Sequence, residues 1–265
     1  MEPPRSKAEP LLCFCAPCPD IPHARPSLRS ACFLQQQADR LALTGEGCSC
    51  IVLTLGGGSS DDARRFELGS AGVAVRTHAR EPQQLMVAQE EGHVHFLDLR
   101  LPGSRPSLAR SLPPGESALY DADWSAHDTY LVGGVCGGRW VAWDLRKAGI
   151  AAPQHAGDAQ QGGCTSFRFS PAGRSFATAG TGGEVLVYHI QPAEAAAASM
   201  WAPTPTRLAH DLPTRVSGLS WMHVTTPAPM LVGAADRRVC VWSLPSATMN
   251  GVEAAQQFPR PMALL

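Results

Sequence analysis

The sequence predicts an all-β chain assembled from repeated short antiparallel sheets, and three observations carry that prediction. One phrase of strand, turn, strand, tight turn and strand recurs along the chain. Its last strand alternates in polarity, and turn formers punctuate the whole, with 25 Gly and 23 Pro among 265 residues. Short apolar runs between frequent turns at a fixed spacing mark a repeat built of strands.

Residues 1–28 carry Pro3, Pro4, Pro10, Pro17, Pro19, Pro22 and Pro26 without a hydrophobic period, so this Pro- and Cys-rich segment is expected to be a disordered tail. A weak first copy, CFLQQQADRLALTGEGCSCIVLTL, ends at Leu55, and the second runs through LMVAQEEGHVHFLDL to Leu99. The third, ADWSAHDTYLVGGVCGGRWVAWDL, ends at Leu145. The fourth, FRFSPAGRSFATAGTGGEVLVYHI, ends at Ile190, and the fifth, LSWMHVTTPAPMLVGAADRRVCVWSL, ends at Leu244. The residues two before these ends are Leu53, Leu97, Trp143, Tyr188 and Trp242, spaced 44, 46, 45 and 54 apart. That is the period of propeller blades, about 40 to 45 residues, with one insertion. The insertion is Pro192–Pro205, read as a loop or at most one helical turn, while 56–62 and 103–115 read as connections and 246–265 as a C-terminal tail.

The alternation explains why such phrases form blades. In the third copy Val141, Trp143 and Leu145 share one face and Trp140, Ala142 and Asp144 the other, as a four-stranded sheet packed between two neighbours requires. The expected architecture is a WD40-type β-propeller over 29–245, with about five recognisable four-stranded blades belonging to a seven-bladed ring. Trp124, Trp143, Asp144, Tyr188, His210, Trp221, Asp236 and Trp242 are its expected structural positions. Among them His210, Asp236 and Trp242 read as part of a hydrogen-bond network that offsets the burial of polar groups. Five copies in place of the usual seven predict an incomplete chain, with a ring completed by a partner as the alternative, because an open ring leaves a strand edge unpaired.

Charge and composition narrow the function. With 22 Lys+Arg against 23 Asp+Glu the net charge is −1, which lacks the electrostatic footprint of a nucleic-acid binder. No run of ~18 apolar residues exists to span a bilayer, and the N-terminus opens on Pro, Arg, Lys and Glu where a signal peptide is apolar, which predicts a cytosolic or nuclear protein. Cysteines number nine, and Cys32, Cys136, Cys164 and Cys240 sit in apolar runs as small hydrophobes do, so no disulfide framework is expected.

Local chemistry is sparse. Cys13, Cys15 and Cys18 lack a second ligand pair at zinc-site spacing, and His93 and His95 share a strand face without a third ligand. There is no GxSxG, HExxH or P-loop, and Gly56–Gly58 with Ser59 and Ser60 lacks the lysine and the helix of a phosphate loop. No catalytic, cofactor-binding or metal residue is assigned, and no enzyme is expected. One phrase carries partner chemistry: Trp143, Asp144, Leu145 and Arg146 (WDLR) resemble the box by which some WD proteins dock on the adaptor of cullin ubiquitin ligases, although Gly137 and Gly138 stand where those boxes usually have an Asp.

Four phrases in succession point to a narrower group: Leu85–Leu99, Ala122–Leu145 with Trp140 three residues before Trp143, Phe167–Gly180 and Val216–Trp221. Together they resemble the nucleoporin thirty-seven family, the WD-repeat subunits of the Y-shaped outer-ring complex of the nuclear pore. The resemblance covers about 29–245, the last five of the family's seven blades. It implies a non-enzymatic scaffold in the nucleus, at the nuclear pore. Its implied partners are the large outer-ring nucleoporin and other Y-complex subunits, with no membrane insertion and no direct contact to nucleic acid. The alternative is a WD-repeat adaptor or substrate receptor of another assembly, such as a cullin ligase.

Overall fold

Each sheet of this protein closes on itself before the chain moves on. In the computed structural model the described residues are 27–264 apart from 35–36, 56–62, 79, 102–107, 112–117, 129, 148–152, 161, 174, 191–204, 209–214, 223–229, 236–237 and 245–261. They form strands only, in five four-stranded sheets. The first blade is β1 (Leu28–Leu34), β2 (Gln37–Gly45), β3 (Ser49–Thr54) and β4 (Ala63–Glu67). The second is β5 (Gly72–Thr77), β6 (Gln84–Gln89), β7 (His93–Asp98) and β8 (Leu108–Ser111). The third is β9 (Leu119–Trp124), β10 (Leu131–Cys136), β11 (Arg139–Asp144) and β12 (His155–Asp158). The fourth is β13 (Cys164–Phe169), β14 (Ser175–Gly180), β15 (Val185–His189) and β16 (Thr206–Leu208). The fifth is β17 (Val216–Met222), β18 (Met230–Ala235), β19 (Arg238–Ser243) and β20 (Met262–Leu264). Every blade is an antiparallel meander in chain order, and the five third strands end where the repeat phrases end.

Three boundaries differ from expectation, all for one reason. Met262–Leu264, within the expected C-terminal tail, pairs with β19 as the fourth strand of the last blade. Leu108–Ser111, within the expected connection 103–115, pairs with β7. Leu28, assigned to the N-terminal tail, opposes Gly45 at the start of β1, with the Glu46 amide donating to Ser27 O at 3.1 Å. These are strands at the edge of a sheet, which need only backbone partners on one side and no apolar alternation. The expected tail before Ser27 and the insertion 192–204 lie outside the described residues.

The core is a series of junctions. Blades one and two bury Leu34, Ala42, Val52 and Phe66 against Val75, Leu85, Val87 and Leu97. Blades two and three meet through Met86, Ala88 and Phe96 against Trp124, Val132, Val141 and Trp143. Blades three and four meet through Trp140 and Ala142 against Phe167, Phe176 and Tyr188, and blades four and five through Ala177, Val187 and Leu208 against Leu219, Trp221 and Trp242. Val141 and Trp143 thus face one neighbour and Trp140 and Ala142 the other, as the alternation requires. At the third junction the rings pack in order, Phe176 lying 4.7 Å from Tyr188 at an interplanar angle of 7°. Gly133 makes room there, since a Cβ would fall 2.4 Å from the Phe167 ring. Among the described residues, no buried cluster joins the fifth blade to the first.

Cys136, Cys164 and Cys240 are buried in these junctions, whereas Cys32, expected with them, is half-buried against the junction of the first two blades.

Candidate functional site

A scaffold acts through its surfaces, so the site is built from what each blade presents at its inner edge, its rim and its faces. The innermost strands β1, β5, β9, β13 and β17 begin around one cavity of about 850 Å³, bordered by Arg29, Tyr120, Gly138, Gly163, Thr181 and Arg215. The turns at its mouth need glycine: Gly137 has φ 56° and Gly163 φ 101°, the left-handed region that residues with a Cβ enter only under strain. This accounts for glycine where a ligase-docking box would have an Asp.

Below the mouth, one ionic chain ties four blades together. Arg76 on β5 donates to Ser30 Oγ of β1 at 2.9 Å and to Asp121 Oδ1 of β9 at 2.6 Å. The second oxygen of Asp121 accepts from Ser166 Oγ at 2.9 Å, the Phe167 amide at 3.0 Å and Arg168 Nη1 at 2.5 Å, all on β13. Asp123 accepts from the Phe169 amide at 2.9 Å. Burial pushes the Asp123 carboxyl up and the Arg76 guanidinium down from their ordinary ranges, Arg168 adding to the second effect. The hydrogen bonds and opposite charges offset a desolvation cost that would otherwise disfavour the chain's burial.

At the rim, Arg146 is held. Its Nε donates to Asp144 Oδ1 at 2.8 Å and its Nη2 to Asp144 Oδ2 at 2.8 Å and Asp128 Oδ2 at 3.1 Å, with the guanidinium 5.5 Å over the Tyr130 ring. The same clasp recurs one blade earlier, where Arg100 Nε meets Asp98 Oδ1 at 2.9 Å and Nη2 meets Oδ2 at 2.7 Å. In each, the bidentate Arg holds its carboxylate below the usual range. Because Asp98-Leu99-Arg100 and Asp144-Leu145-Arg146 behave alike, the WDLR phrase is a blade-end device shared by two blades.

The expected blade positions fall as follows. Trp124, Trp143, Tyr188, Trp221 and Trp242 are buried at junctions and Asp144 is half-buried in its clasp. His210 and Asp236 lie outside the described residues, so the network proposed through them is not described. Cys13, Cys15 and Cys18 lie outside too. His95 Nε2 is 2.6 Å from Gln89 Oε1, and no group of three metal-binding side chains occurs among the described residues. Sequence reasoning missed the chain through Arg76, Asp121 and Arg168.

No protein-family model matches the chain. Among known proteins, nucleoporin Nup37 of Mus musculus is 27% identical over 221 residues and that of Homo sapiens 27% over 215, each match covering 79% of this chain and 59% of the relative. Nup37 of Drosophila melanogaster is 29% identical over 112 residues, covering 42% of this chain and 33% of the relative. The chain is similar to Nup37 over 79% of its length. It spans 59% of the length of the mouse and human relatives. Among solved structures, the β-propeller domain of Cps50 (Swd1) from Myceliophteria thermophila superposes with a TM-score of 0.61 at 15% identity, covering 89% of this chain and 73% of that one. A likeness at that identity shows the fold alone.

Proposed function

We propose that this chain is a non-enzymatic structural scaffold subunit of the outer-ring Y complex of the nuclear pore, located at the nuclear envelope. There it supports the nucleocytoplasmic transport of protein and mRNA. The observation that carries the reading is the likeness to Nup37 over 79% of the chain. The geometry agrees with a platform: the ionic chain through Arg76, Asp121 and Arg168 ties blades together, and Arg100 and Arg146 clasp the ends of two blades. The partner of this reading is the large outer-ring nucleoporin, bound through blade rims and loops, with other Y-complex subunits beyond it. The reading takes that binding to run through neutral surfaces, in keeping with a net charge of −1, and so expects it to survive a few hundred millimolar salt. Affinity purification from native cells tests the proposal. Outer-ring nucleoporins co-elute if it holds, and a cullin ligase adaptor in their place overturns it. The second reading, a ligase receptor, is favoured only by the WDLR phrase, and Arg146→Ala decides it, since a receptor loses its adaptor and a pore subunit keeps its nucleoporins.

A further inference from the structure

We draw no further inference here: the strongest candidate, the cavity at the mouth of the inner strands bordered by the exposed Tyr120 and by Arg215, belongs to the site already described, with Arg215 adjoining residues outside the described ones, and nothing in the structure shows what fills it.

Discussion

Arg76 and Asp121 meet at 2.6 Å across the junction of the second and third blades, and the same carboxylate reaches Arg168 on the fourth. The side chains of Arg76 and Asp121 are 13% and 8% exposed, so neither charge is answered by bulk water. Removing one partner strands the others. Asp121→Ala is therefore expected to lower stability by about 3 to 5 kcal/mol, and Asp121→Asn by less, since an amide still accepts from the Phe167 amide. Urea denaturation followed by circular dichroism measures the difference. Equal effects for the two variants would mean that charge, not the hydrogen-bond geometry an amide retains, is what the position supplies.

Trp242 is 2% exposed at the junction of blades four and five, opposite Leu231 in register. Trp242→Ala leaves a cavity that rigid sheets fill only in part, and a loss of about 3 to 5 kcal/mol is expected. A shift in thermal midpoint too small for 1 kcal/mol would show that the last blade is not part of the cooperative unit.

His78 makes stability depend on pH. It is 3% exposed, and its Nδ1 accepts from the amides of Arg80 at 3.1 Å and Glu81 at 2.8 Å, bonds that need the neutral ring. Burial lowers its pKa, and lowers those of His95, His155 and His189 as well. With a folded pKa below the unfolded one, the unfolded chain binds more protons as pH falls below about 6.5, so stability present above that value is lost on acidification. Denaturant midpoints at pH 7.5 and 5.5 should differ in that sense, and His78→Gln should narrow the gap.

The third strands and their junction residues were legible because burial on both faces forces an apolar alternation, and the repeat period then lines up Trp143, Tyr188 and Trp242. The fourth strands were not. A strand such as His155–Asp158, with alternately half-buried and exposed side chains, has one covered edge and little apolar content, so it reads as a loop. The ionic chain escaped for a different reason. Its members stand 45 and 47 residues apart in separate copies, and none has an opposite charge beside it within its own strand. Opposite charges recurring at the repeat period were the signal that could have found them.

Thiol chemistry separates surface from junction. Burial pushes the Cys164 thiol up to about 12 and Cys32 up to about 11, which suppresses the reactive thiolate, whereas Cys48 is exposed. Under native conditions iodoacetamide should modify Cys48 first among the described cysteines, with Cys50 and Cys164 labelled only after denaturation. Mass spectrometry of peptides reads the order. Early labelling of Cys164 would mean that the third and fourth blades part readily.

Every sheet takes its four strands from one unbroken stretch of chain, and none borrows a strand from another. For a polypeptide leaving the ribosome this sets a timetable. At roughly 5 to 20 residues per second, a blade's worth of chain emerges in about 2 to 9 s, while a hairpin closes within about 10 μs. Each blade can therefore be complete long before its successor is translated, and growth proceeds as a row in which the newest member always waits, for seconds, with one apolar side bare.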